Sequence, residues 1–244
     1  MSEENPKITR LKDDVKTLEQ EMGLAIMFHE SWKPTAYDDE LHQRMGKSYA
    51  THTFSIIRTA LRREMLLALI RIWDSDYRTI GIPSITNTLS DPAFFDTFCA
   101  HRAKRLSSSR ISLTPELGLS NGWSDSIKET LSEHWDEVSE LVKKYKKGGS
   151  HYEVVKSLLT MRNVSLAHRQ SPPKEPGRAD ATDEEIESFY QDNLEIVRLL
   201  LSIVLGRAFN LTEAADVYQT YAGYFWAAAR GEVTAGHPSY RPIP

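Results

Sequence analysis

Apolar residues recur along this chain at steps of three and four, the period of a helix with one buried face. Leu11, Val15, Leu18, Met22, Ala25, Ile26 and His29 form the first such stripe, and Trp32, Lys33 and Pro34 mark where it should stop. A second stripe, Phe54, Ile57, Leu61, Met65, Leu69, Ile72 and Trp73, predicts a helix that begins as early as Asp39, with a weak point at Gly46. Two long helices joined by a short loop predict an antiparallel hairpin over roughly residues 9–74.

Beyond the hairpin the punctuation changes. Asp74, Ser75, Asp76, Gly81 and Pro83 are turn residues, followed by a short helix from about Ser84 to Leu89. Asp91 and Pro92 supply an N-cap and a first-turn proline for a helix expected from Ala93 to Leu106. Residues from Ser107 to Gly122 read as loop. Ile127, Leu131, Trp135, Val138 and Val142 predict a helix from about Ser124 to Lys146, stopped by Gly148 and Gly149. Ser150 with Glu153, and Thr182 with Glu185, have the spacing of capping boxes. The first should open a helix through Val154, Val155, Leu158 and Leu159, and the second the most apolar helix, roughly from Glu184 to Phe209. Gln170 to Ala181, with three prolines, reads as an exposed loop, and a last helix is expected from Thr212 to Arg230. No segment alternates as a strand does, and no repeat is visible. The expected fold is all-α: one domain over residues 1–244, with the hairpin, a bundle core over about 84–230 and a loose tail over 231–244.

Composition narrows the function classes. With 30 Lys+Arg against 34 Asp+Glu the net charge is -4, so any nucleic-acid contact must come from a local basic patch. One cysteine, Cys99, excludes an intrachain disulfide framework and a multi-cysteine zinc site. The first residues carry no secretory signal. The greasiest stretch, Leu194 to Leu205, is interrupted by Glu195, Arg198 and Ser202, too short for a span. A soluble, cytoplasmic protein without membrane contact is expected.

Motif chemistry is sparse. The eight histidines form no His-x-x-x-His pair, and no Gly-rich phosphate loop or carboxylate ladder occurs, so neither a metal nor another cofactor is expected. One constellation stands out: Arg162-Asn163-Val164-Ser165-Leu166-Ala167-His168-Arg169. Its spacing alone discriminates nothing, since Arg230 and His237 also match in the tail. Its place on the helix does. At 100° per residue, Val155, Leu158, Leu159 and Leu166 fall within about 60° of Arg162, so the arginine sits in the apolar stripe. Lys156, Thr160, Asn163 and Ala167 take the opposite half. An unpaired arginine in a core costs several kcal/mol, so Arg162 must be paired or must face a cleft or subunit interface. Ser165, His168 and Arg169 continue from it as one polar arc. A structural ion pair for Arg162, with an acid such as Asp74, and a capping role for His168 remain the competing reading.

On these residues the chain resembles the HEPN superfamily, and within it the AbiU-type abortive-infection branch. The likeness rests on Arg162-Asn163-x-x-Leu166-Ala167-His168-Arg169, on Arg71-x-Trp73-Asp74 followed by Ser84-Ile85 and Leu89, and on the N-terminal hairpin, covering about Leu11 to Tyr224. The resemblance implies a HEPN-like helical bundle and a metal-independent endoribonuclease, a toxin or phage-defence effector working as a homodimer on RNA. It implies that Arg162, with Arg169, holds the scissile phosphate, that His168 is the acid/base group, and that Asn163 orients one of them. The helix count sets Asn163 on the outer side, which weakens that last role. The tyrosine that some HEPN toxins carry two residues after the histidine is here Gln170, so control by modifying such a tyrosine is not implied. A protein inhibitor remains open.

Secondary features divide as follows. Lys174 and Arg178, in the loop after His168, are the candidate RNA-guiding cations. Lys143, Lys144, Lys146 and Lys147 read as a solvated helix end rather than an RNA contact. Tyr218, Tyr221, Tyr224, Phe225 and Trp226, at helical spacing, read as core or dimer packing rather than base stacking. Arg198 needs a partner that the sequence does not name. The rival class is a non-catalytic helical interaction module in which Arg162 makes a structural ion pair.

Overall fold

The computed structural model describes residues 5–47, 49–76, 79–110, 120–162, 181–208, 210–229 and 241. Nearly all of them are helical and none is in a strand, as the periodicity predicts. The helices are α1 (Pro6–Tyr37), α2 (Asp39–Met45), α3 (Tyr49–Arg71), α4 (Ile82–Leu89), α5 (Pro92–Arg110), α6 (Ser120–Tyr145), α7 (Tyr152–Met161), α8 (Asp183–Leu200) and α9 (Leu211–Ala228). Contacts divide the chain into two compact units. The first comprises Met1–Glu19, Ile72–Ser157 and Gly177–Phe209; the second comprises Gln20–Arg71, Leu158–Pro176 and Asn210–Pro244.

In the first unit α5 packs against α6, and α6 against α8. Phe95 meets Trp135 at 6.2 Å between ring centres, while Lys128, paired with Asp96 at 2.8 Å, also acts on Cys99 a turn further on, so α5 and α6 run antiparallel. Tyr145 donates its hydroxyl to Asp192 at 2.7 Å, while Ser202 meets His134 at 3.4 Å, giving the same sense to α6 and α8. Trp73, Tyr145 and Phe189 are buried and make mutual ring contacts at 4.9–5.8 Å. Full burial of each such side chain contributes about 2–3 kcal/mol.

In the second unit Arg62 lies over the Trp32 ring at 5.9 Å, and Arg71 pairs with Glu21 at 2.7 Å. Rising numbers on α3 thus meet falling numbers on α1, which is the predicted antiparallel hairpin. Gly46, with φ of 53°, breaks the second arm at the predicted weak point. A small core of Leu41, Met45, Phe54, Ala222 and Trp226 joins α2, α3 and α9.

Several boundaries differ from expectation. The first helix does not stop at Trp32 to Pro34 but runs to Tyr37 with Pro34 inside it. Proline forfeits one helical bond and disturbs its neighbours. Carbonyls there find side-chain donors: the Trp226 indole donates to Ser31 at 2.9 Å and the Thr35 hydroxyl to Trp32 at 2.6 Å. The α5 and α6 helices reach Arg110 and back to Ser120, so much of the expected loop is helical; 111–119 lie outside the described residues. The Thr182–Glu185 capping box forms with both bonds, at 3.0 and 3.2 Å. The Ser150 box does not, because the Ser150 hydroxyl bonds the His151 ring at 2.8 Å and α7 begins at Tyr152. After α8 the chain widens into a π turn, Leu201–Leu205, and Gly206, with φ of 66°, ends it short of Phe209. The expected loose tail, 231–244, lies outside the described residues except at Arg241.

Candidate functional site

α7 leads up to Arg162, and its apolar residues repeat at the helical period. Val154, Val155 and Leu158 are buried, whereas Lys156 and Thr160 on the other half are exposed, as the angular count requires. Arg162 follows the last residue of α7 and is half-buried, so it does extend the buried face. It is not an isolated charge. A guanidinium offers donors in a planar fork that matches a phosphate. Asn163, His168 and Arg169, and with them Ser165, Lys174 and Arg178, lie outside the described residues.

The second set of resemblance residues is structural. Arg71 is engaged by Glu21, and Trp73 donates its indole N–H to Asn193 at 2.7 Å. Asp74 accepts the backbone N–H of Asp76 at 3.1 Å and so shapes the turn after α3. The Ser84 hydroxyl donates to the Gly81 carbonyl at 2.9 Å, while Ile85 and Leu89 are buried. These residues end one helix and start the next.

Other candidates acquire partners. Lys144 pairs with Asp192 at 3.1 Å and Lys143 with Glu140, so this part of the lysine cluster is neutralised, as a helix end would be. Burial and the Asp192 carboxylate together push the Tyr145 phenol well above its ordinary range. Arg198 makes a two-pronged pair with Glu195, at 2.6 and 2.7 Å, which holds that carboxyl below the usual range. Burial raises the Cys99 thiol, the direction of an inert rather than a nucleophilic cysteine. Among the described residues no group of His, Cys, Asp and Glu is placed to hold a metal ion. No described helix is long and apolar enough to cross a membrane.

One buried polar group escaped the sequence reading. His29 does lie in the α1 stripe, but Glu30 is buried beside it, with Nδ1 and Oε1 2.7 Å apart. Only the adjacency of the two residues signalled it. The pair is too enclosed to meet a substrate, and it acts as a structural contact within α1.

The aromatic residues of α9 divide. Trp226 and Ala222 face the core, whereas Tyr221, Tyr224 and Phe225 are 63–76% exposed, so the core reading holds for only part of the cluster.

No curated protein and no solved structure matches the chain. The AbiU2 model of HEPN domains does match, over residues 8–225, which takes in both arms of the hairpin, the turn after α3, the whole of α7 and nearly all of α9. Helical in nearly all of its described residues, with a long hairpin and with Arg162 where α7 ends, and matched over most of its length, the chain belongs to the AbiU2 abortive-infection family of HEPN proteins.

Proposed function

We propose that the protein is a metal-independent endoribonuclease, a toxin or phage-defence effector that cleaves RNA as a homodimer. The observation that carries this reading is the position of Arg162, half-buried where the apolar face of α7 ends, in a chain of the HEPN family. A cation on such a face suits a site that must grip an anion away from bulk water. Arg162 and Arg169 hold the scissile phosphate and the charge that builds on it. His168 takes the proton from the ribose 2′-OH as that oxygen attacks phosphorus, or returns one to the leaving 5′-oxygen. An imidazole with an ordinary pKa near ~6.5 suits either transfer, and a homodimer supplies two copies. Asn163 orients His168 or the phosphate, and Lys174 and Arg178 guide the strand. The products are a 2′,3′-cyclic phosphate and a 5′-hydroxyl.

The test is incubation of purified wild type and His168→Ala with total RNA and tRNA in EDTA, followed by end-group analysis. Cleavage by wild type should persist in EDTA and leave cyclic phosphates, and His168→Ala should lose about 10²–10⁴ in rate. Unaltered cleavage by the variant overturns the site. The engaged state of Arg162 favours a second reading, a non-catalytic interaction module, and absence of cleavage by either protein would select it.

A further inference from the structure

The segment from Leu41 to Arg63 contains no Asp or Glu, although acids outnumber bases in the chain as a whole. At average composition roughly three acids would fall in a stretch of this length. The same segment holds Arg44, Lys47, Arg58, Arg62 and Arg63. It forms α2 beyond that helix's acidic first turn, Asp39 and Glu40, and the first two-thirds of α3, and it belongs to the same compact unit as Leu158 to Arg162. Phe54 anchors it, edge-on to the Trp226 ring at 5.7 Å. Beyond that anchor every residue from Ser55 to Ala60 is exposed, as are Lys47 and Arg63.

Two cations of this surface, Lys47 and Arg58, are free to meet an anion. Arg44 uses one nitrogen on the Trp226 carbonyl at 3.2 Å and reaches Glu40 only at 3.9 Å. Arg62 lies over the Trp32 ring. Among the described residues Lys47 and Arg58 have no ion-pair partner. Tyr49, Ile56 and Arg63 are spaced by seven, so they form one row along the helix about 21 Å long, with Tyr49 and Ile56 two-thirds exposed. A second copy of the chain does not fit here. A two-fold interface sets a patch against itself, and over Leu41 to Arg63 cations would face cations with no acid between them.

We propose that this α2–α3 surface is a track for single-stranded RNA, which its cations grip by the phosphates while Tyr49 and Ile56 receive bases. The proposal deepens the ribonuclease reading and rests on it. It makes the long hairpin the arm that presents the strand, in addition to the cations that follow His168.

The experiment is a titration of the full chain against a fluorescent 2′-O-methyl RNA strand of about twenty nucleotides at several salt concentrations. That strand lacks the attacking hydroxyl, so binding is read without cleavage. Lys47→Glu with Arg58→Glu should weaken binding at least about 10-fold at 0.1 M salt. Lys47→Gln with Arg58→Gln should flatten the slope of log affinity against log salt by about 1.4, two phosphate contacts' worth. Unchanged affinity and slope overturn the track, and so does failure of the wild type to bind. Lost binding together with altered sedimentation also overturns it, because the surface would then be a protein interface. A strand bound through these residues by a protein that cuts no RNA removes the nuclease reading and leaves the track standing.

Discussion

Asn193 is fully buried on α8, and its side chain has both of its functions occupied. Its oxygen accepts from the Trp73 indole at 2.7 Å, and its amide donates to the Phe189 carbonyl at 2.6 Å. A buried amide of this kind fixes how Trp73 enters the aromatic cluster with Tyr145 and Phe189, because the ring can turn only by giving up a buried hydrogen bond. Asn193→Leu fills similar volume but orphans the indole N–H, so it should cost about 2–3 kcal/mol in urea unfolding. Adding Trp73→Phe, which removes the orphaned donor, should give back part of that loss. A single variant within about 0.5 kcal/mol of wild type would show that the bond contributes no net stability. The sequence hides this pair, since nothing local to Trp73 or Asn193 marks a partner more than a hundred residues away. Arg71, Trp73 and Asp74 each make contacts of this structural kind.

At the scale of the element, what was legible was periodicity and capping chemistry. The α1 stripe, the Thr182–Glu185 cap and the break at Gly46 each follow from local rules, and the structure has each of them. Helix ends that depend on distant groups were not legible. The continuation of α1 past Pro34, beside which the Trp226 indole from α9 bonds the Ser31 carbonyl, has no local signal, and α8 passes into a π turn that Gly206 ends. Gly206 has φ of 66°, and the Arg102 guanidinium occupies the space that a β-carbon there would need. Burial lowers the pKa of Arg102, so its position is already costly to the charge. Gly206→Ala must therefore strain the backbone, while the flexible Arg102 side chain swings aside from a position that already disfavours its charge. It should destabilise by the ~1–2 kcal/mol of the left-handed conformation, read as a shift in urea midpoint against wild type. Of the candidate site only Arg162 is among the described residues; the angular count sets it in the apolar stripe, and it is half-buried where α7 ends. The cationic surface of α2 and α3 was missed for a different reason: its signal is the absence of acids, which no motif records.

At the scale of the molecule, the exposed apolar surface is unevenly shared. Among the described residues every large exposed hydrophobic side chain except Ile80 belongs to the second unit. On α9 they form a row, Val217, Tyr221, Tyr224 and Phe225, on the face opposite buried Ala222 and Trp226. No charged residue occurs from Val217 to Ala229. Set against its own two-fold copy such a row meets no like charge, unlike the α2–α3 surface, and it has the aromatic character of an interface core. It is accordingly the surface on which the proposed homodimer would form. Leu158 to Arg162 belongs to the same unit as α9, so a dimer formed through α9 would pair two copies of that unit. Tyr221→Glu with Phe225→Glu introduces charges that an isologous contact must oppose pairwise. Sedimentation should shift from dimer to monomer with the circular dichroism of the helices unchanged, and RNA cleavage should fall along with the dimer fraction. A wild type that sediments as a monomer at micromolar concentration would remove the dimer. A variant that stays dimeric would move the interface off α9 and leave the exposed row without a protein partner.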